Sequence, residues 1–300
     1  DGSLMELFRN IGLMGRPGNT AVADTLHDVQ RYLESQGRRV LFDEDTASLL
    51  PSRNDLQACS RHSLGEACDL VIVVGGDGSL LHAARALARS NTPVLGINRG
   101  RLGFLTDVAP QEIEDKLRAV LRGDFVEDKR FLISAEVRRD GQTLGEMLAL
   151  NDVVLHTGKT VHMIEFELYV EGEFVYRLRS DGLIVCTPTG STAYALSGGG
   201  PILHPRLDAM GLVPMHPHTL SSRPIVVDGN SEIKIQVLSD IPPRLSADGQ
   251  PGQMLEAGDW VYVSKHPFKL RLIHPPGHDF YAACRTKLGW SSHLSQGDSE

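Results

Sequence analysis

The 300-residue chain has only four cysteines, Cys59, Cys68, Cys186 and Cys284, and no two of them form a CxxC pair. Scattered thiols of this kind exclude a disulfide framework and point to a reducing, cytoplasmic setting. There is no excess of basic residues. The formal net charge of −8 argues against a general nucleic-acid binder, which needs a basic face for the phosphate backbone. No apolar run reaches transmembrane length and no signal peptide is visible, so no membrane partner is expected. Residues 1–4 precede a start at Met5, read as a remnant, and stay outside the fold argument. There is also no Gly-Lys-Ser/Thr, which excludes a P-loop. Gly76 and Gly78 lack a third glycine at the required spacing, because position 81 is Leu, which excludes the dinucleotide-fold fingerprint.

What is present in the N-terminal third is an alternation of strand and helix. Apolar runs predict strands at 10–14, 39–42, 70–74 and 93–97, the first running into Gly15-Arg16-Pro17-Gly18. Helical periodicity covers 20–36, 80–89 (with Ser79 near the N-cap) and 111–121. Such alternation implies an α/β domain, a parallel sheet with flanking helices. The character changes near residue 127. Short alternating segments follow at 132–138, 143–150, 153–156, 163–170, 173–178 and 182–186, then at 225–227, 232–238 and 260–264. This predicts an all-β, sandwich-like second domain, interrupted by one helix at 192–197. The expected limits are 5–127 for the α/β domain and 128–274 for the β-rich domain. Segment 275–300 is expected to return to the first domain.

Four constellations carry chemistry. The first is Gly75-Gly76-Asp77-Gly78-Ser79, where a buried strand gives way to a helix. A glycine-rich turn opening a helix brings backbone N–H groups to an anion, and the helix dipole favours negative charge there. Asp77 opposes phosphate binding unless it holds a metal or takes a proton, so the turn reads as a place where phosphate is moved. A tight turn capped by Asp77 is the plainer reading. The second is Asn98 to Leu105, which leaves the same sheet edge. Gly100 and Gly103 allow irregular backbone, and Phe104 offers a base a stacking face; a surface loop with a core Phe explains it equally. The third is Asn151-Asp152 at the mouth of a strand, able to bond a base edge and a ribose diol, or to form an Asx turn. The fourth is the hydroxyl-rich stretch Thr187, Thr189, Ser191, Thr192, Tyr194 and Ser197. It suits a polyhydroxylated ligand, or a series of Ser/Thr turns.

Taken in order and at these separations, GGDG, NRGRLGFL, the Asn151-Asp152 pair, DGLIVCTPTGSTAY and the later Ala247-Asp248-Gly249-Gln250 resemble the NAD kinase family in its bacterial form. The resemblance runs from about residue 8 to 290. It implies phosphoryl transfer from ATP, or from polyphosphate, to the 2′-hydroxyl of the adenosine ribose of NAD. It implies Asp77 as base and Gly78 under the adenosine ribose. Phe104 then lines the adenine pocket, Asn151 contacts adenine and Asp152 the ribose on the nicotinamide side. Asp181 lies by the carboxamide. Thr189, Thr192, Ala193, Tyr194, Ser197 and Gln250 line the dinucleotide, with His82, His162 and Arg179 as further contacts. Gly75, Gly76, Gly78 and Ser79 hold the donor phosphates. Mg²⁺, or another divalent ion, is expected with the donor rather than on protein ligands; His216 and His218 lack a third ligand. The resemblance also implies a homodimer or homotetramer, with a cleft between the domains onto which Asp77 and Asp152 both open. Ala247 stands where relatives often have Cys. A lipid kinase sharing GGDG and a non-catalytic dinucleotide sensor are the alternatives. The hydroxyl-rich turn disfavours the first, and retention of Asp77 the second.

Overall fold

The computed structural model describes residues 7–16, 20–50, 56–158 and 162–290. Met5, Pro17 and Gly18 lie outside them. The chain forms two compact units, one made of 1–129 with 270–300 and one of 130–269.

The first unit is the expected parallel sheet. Its elements are β1 (Asn10–Gly15), α1 (Thr20–Ser35), β2 (Arg39–Asp43), α2 (Glu44–Ala47), β3 (Ala58–Cys59), α3 (Arg61–Ala67), β4 (Leu70–Gly75), α4 (Asp77–Leu87), β5 (Val94–Asn98) and α5 (Ile113–Leu121). The strand order is β5-β4-β1-β2-β3, all parallel. Buried residues Val22, Leu26, Val29 and Leu33 fall at helical spacing along α1. That places one apolar face of α1 in a core with Ile11, Leu13, Ile72 and Val74, each such side chain contributing roughly 1.5–3 kcal/mol. The chain order reverses direction between β1 and β4, so loops leaving their carboxyl ends flank a topological switch point, where open α/β sheets bind ligands.

Strand β6 (Val126–Arg139) leads into the second unit. There follow β7 (Gln142–Ala149), β8 (Asp152–His156), β9 (Ile164–Val170), β10 (Glu173–Ser180), β11 (Gly182–Cys186), α6 (Tyr194–Ser197), β12 (Ala209–Met215), β13 (Ile225–Asp228), β14 (Ile233–Val237), β15 (Arg244–Ala247), β16 (Gln250–Met254) and β17 (Trp260–His274). One sheet runs β13-β12-β11-β8-β15-β16. The other pairs β10 with β9, β9 with β14 and β14 with the start of β17. Alternate residues of both, such as Val153, Leu155, Leu183 and Val185 against Phe166, Leu168, Ile235 and Val261, share one core. This is the sandwich that the alternating pattern predicts. Helix α7 (Phe280–Leu288) is the last element among the described residues.

Two expectations are corrected. The return to the first unit begins at Leu270 rather than 275, because β17 runs on past 264 and its Leu272 and Ile273 pair with β5. Helix α4 begins at Asp77 with Gly76 as N-cap, not after a Ser79 cap. The N-cap tolerates glycine, and an aspartate in the first turn favours the dipole.

Candidate functional site

Strand β4 ends in Gly75 at φ 158°, and a Cβ there would lie 2.4 Å from the Ser79 hydroxyl oxygen. The chain turns at once into α4, exposing the helix N-terminus at the carboxyl edge of the sheet. Gly75, Gly76, Gly78 and Ser79 line a cavity of about 300 Å³ together with Arg16, Arg99 and Arg101. Arg16 follows β1, and the other two arginines follow β5. Three guanidinium groups beside a helix N-terminus have the chemistry to hold an anion. The sequence analysis quoted Arg99 and Arg101 within their motif but assigned them no role. It had no signal for Arg16, whose place depends on β1 lying next to β4.

Asp77 directs its carboxylate to the loop after β5. Its Oδ2 accepts from the Phe104 N–H at 2.8 Å; its Oδ1 accepts from the Leu105 and Thr106 N–H groups, both at 3.1 Å, and from the Thr106 hydroxyl at 3.0 Å. A Cβ on Gly103 would lie 1.9 Å from Asp77 Oδ1, so that position must be glycine. Asn98, only 3% exposed, holds the same loop by donating to the Arg101 carbonyl at 2.7 Å and the Thr106 hydroxyl at 2.9 Å. The Phe104 ring packs 6.3 Å from that of Phe280, with the Lys287 ammonium 5.4 Å from its centroid. His82 is engaged elsewhere, between Arg61 and Arg85. Burial, and then these two cations, push its pKa down.

In the second unit, β8 and β11 are antiparallel neighbours, with Asp152 opposite Cys186. This sets Asn151-Asp152 beside the turn that begins at Thr187. The Thr187 N–H donates to the Asn151 carbonyl at 2.9 Å, and its hydroxyl donates to the Leu150 carbonyl at 2.5 Å. The Gly190 N–H donates back to that hydroxyl at 3.1 Å, and a Cβ on Gly190 would lie 1.9 Å from the Asn151 carbonyl oxygen. Thr189 accepts at 3.0 Å from Arg130. Thr187 and Ser191 thus serve the backbone of the turn, while Tyr194 and Ser197 on α6 and the partly exposed Thr192 and Ala193 face outward.

Asp248 is a further residue that was given no role within its sequence motif. It sits with Gly249 in the β15–β16 hairpin turn, both at positive φ, as an Asp-Gly turn requires. Its carboxylate accepts from the Leu150, Asn151 and Asp152 N–H groups at 2.9, 2.8 and 3.3 Å. Asp152 is 5% exposed. Burial, and then the charge of Asp248, push its carboxyl up to about 7. The Asp-Gly pair within ADGQ was the available signal.

Asn151, Asp152, Thr189 and Thr192 therefore form one cluster with Gln250, which begins β16 opposite Ala247. Asp181 and Arg179 are not in it. They lie beyond the other end of β11, a strand of five residues and hence roughly 15 Å long. There Asp181 meets His216 at 3.1 Å, and the Arg179 carbonyl accepts from the His218 N–H. His162 is exposed ahead of β9.

Residues 11–125 match the model of the ATP-NAD kinase N-terminal domain, and residues 150–275 that of the ATP-NAD kinase C-terminal domain. The NAD kinase of Acinetobacter baylyi is 64% identical over 95% of this chain and 92% of its own. That of Hahella chejuensis is 61% identical over 98% and 99%. Among solved structures, a yeast NADH kinase in complex with NADH superposes with a TM-score of 0.87 at 27% identity, covering 95% of this chain and 88% of that one. An NAD kinase from Archaeoglobus fulgidus in complex with ATP gives 0.70 at 25%, covering 93% and 97%.

Proposed function

The chain belongs to the NAD kinase family, and from that premise we propose how its residues divide the transfer of the terminal phosphoryl group of ATP to the 2′-hydroxyl of the adenosine ribose of NAD. The observation that carries the proposal is an arginine-lined helix N-terminus from which Asp77 projects. The lipid-kinase and sensor alternatives gain no support from any relative.

The donor phosphates lie against the N–H groups of Gly75 to Ser79, with Arg16, Arg99 and Arg101 around them. Phosphoryl transfer proceeds through a loose transition state, so charge neutralisation and positioning supply most of the catalysis. A Mg²⁺ ion carried by the donor would add to the charge neutralisation that Arg16, Arg99 and Arg101 supply around this cavity. Asp77 Oδ1 is saturated by three donors, whereas Oδ2 accepts one. A carboxylate oxygen has two lone-pair directions, so Oδ2 keeps one for the ribose hydroxyl. Asp77 acts there first as an orienting acceptor and then as a late base, since a free aspartate is weak towards an alcohol.

Asn151 and Asp152 take the adenine and ribose, and Thr189, Thr192, Ala193, Tyr194, Ser197 and Gln250 complete the dinucleotide's surroundings. Gly78 and Phe104 serve the adenosine end. His162, Arg179 and Asp181 remain outlying contacts, and His82, held between arginines, is the weakest assignment. The homo-oligomer and the cytoplasmic setting belong to the same proposal. The four cysteines are free thiols, and no helix among the described residues is long and apolar enough to cross a membrane.

The test is turnover with NAD or NADH, Mg²⁺ and either ATP or polyphosphate, read as NADP(H) formed. Arg99→Ala should raise the KM for ATP about 10- to 100-fold and leave that for NAD nearly unchanged, the loss of one charged hydrogen bond being about 1.5–3 kcal/mol. An equal rise for both substrates would remove the donor phosphates from this cavity.

A further inference from the structure

Three groups with metal-ligand chemistry meet in the first unit on the far side of the loop that holds Asp77. Asp107 directly follows Thr106. His274 ends β17, and His278 lies just before α7. Asp107 Oδ2 accepts from His274 Nδ1 at 2.9 Å and from His278 Nδ1 at 2.8 Å. The two imidazoles stack with centroids 3.6 Å apart and planes 10° from parallel. The ligand atoms of all three residues lie within 4.8 Å of one another, the one such grouping found among the described residues.

We infer that Asp107, His274 and His278 form a binding site for a divalent transition metal of the zinc or cobalt class, separate from the magnesium that accompanies the phosphate donor. Two imidazoles and one carboxylate suit zinc, cobalt or nickel, whereas magnesium prefers oxygen alone. With metal bonds of about 2.0–2.2 Å in tetrahedral geometry, ligand atoms stand about 3.3 Å apart. The present N–O separations need to open by about half an ångström to reach that, and the two stacked rings must also splay apart so that both Nδ1 lone pairs converge on one point. Each Nδ1–H now fills the place of the metal. At each Nδ1 that takes the metal the proton would leave that nitrogen: a neutral imidazole would pass it to Nε2 by tautomerisation, and only an imidazolium would release it to solvent.

Three further observations point the same way. Asp107 Oδ1 is buried without a hydrogen-bond partner, an expensive state for a carboxylate oxygen that a metal relieves. The other nitrogen of His274 faces a second carboxylate, with Nε2 3.6 Å from Asp128 Oδ2; an acid behind a ligating histidine fixes its tautomer and orientation. Asp107 and His278 also line a cavity of about 130 Å³, room for a water as a further ligand. Lys116, which lines the same cavity, is committed to the Pro276 carbonyl at 2.8 Å. A metal here clamps the segment that positions Asp77 to the start of α7.

The test is titration of the chelator-treated full chain with Co²⁺, read by its visible ligand-field absorption and by bound metal per chain. The expected result is a single Co²⁺ per chain with a visible band, displaced by Zn²⁺ and not by excess Mg²⁺. His278→Ala should weaken it by more than about 100-fold, since even partners behind the ligands cost about 10–100-fold. His278 is partly exposed, so this variant should fold; circular dichroism checks it. Should it unfold, His278→Gln serves the same comparison. Absence of a visible band, or a band and affinity unchanged in the His278 variants, would overturn the assignment. Neither readout depends on kinase turnover.

Discussion

Asp152 combines two opposing demands. Its carboxyl stands near 7 because burial and Asp248 disfavour its charge, while an unfolded aspartate titrates near ~4. Between those values the folded chain keeps a proton that the unfolded chain releases. Stability therefore falls as pH rises from about 4 to about 7 and levels off above, by an amount on the order of 4 kcal/mol. Asp152→Asn should remove that slope, as thermal melts across the range would reveal. NAD affinity should run the opposite way in the native chain, since a ribose diol donates best to the ionised group. It should rise with pH towards 7, and a variant that retained the rise would take Asp152 out of the ribose contact. At Asp77 the expectation is a split. Asp77→Asn should lower kcat by about 10²–10⁴ while dinucleotide affinity, measured by calorimetry, changes little. The amide nitrogen must also face an N–H from the 104–106 segment, so the melting temperature should fall too. A near-normal kcat would send the search to another carboxylate.

At the scale of elements, the strongly periodic segments were legible in the sequence and the strained or short ones were not. Strands β1, β2, β4 and β5 and helix α1 follow from apolar pattern alone. Strand β12 was missed because Gly211 and Pro214 read as breakers. In the sheet, Pro214 pairs with Leu183 of β11, whereas β13 pairs with β12 only up to Leu212. The missing N–H at Pro214 thus costs no ladder bond on that flank. Helix α3 was hidden by Gly65, which is there because a Cβ would press within 2.5 Å of the Ser90 hydroxyl. The site was legible wherever glycines and hydroxyls cluster in sequence. It was illegible where partners come from distant strands, as Arg16 and Asp248 do. Gly190→Ala tests one such close approach. The added methyl collides with the Asn151 backbone, so it should separate the Thr187–Thr192 turn from Asn151. We expect a raised KM for NAD and a loss of stability of about 1–3 kcal/mol, seen in denaturant melts. Unchanged NAD kinetics would show that the turn and Asn151 bind independently.

For the whole molecule, the residues proposed for the site are divided between the units: the arginine-lined cavity and Asp77 in one, Asn151, Asp152 and Asp248 in the other. Strands β6 and β17, which carry the chain into and out of the second unit, pair with each other. A short glycine-rich linker from Lys129 to Leu270 should therefore replace 130–269 and leave a folded first unit. Circular dichroism should register its helices, and turnover of NAD should be nil. A simple truncation at residue 127 should fare worse, because it also removes the strand beside β5 and helix α7. Kinase activity in either shortened chain would contradict the division of labour.

The interrupted first unit sets the order in which the nascent chain can mature. Its N-terminal strands leave the ribosome first, but the partner of β5 is made only after the whole of the second unit. The second unit is continuous and complete once Lys269 has emerged, so it can fold while the first still waits with one flank of its parallel sheet bare. A bare strand edge invites pairing with the wrong chain. Ribosome-bound chains with Lys269 just clear of the exit tunnel should yield a protease-resistant core from the second unit alone, with the first becoming resistant only once the partner of β5 has emerged as well.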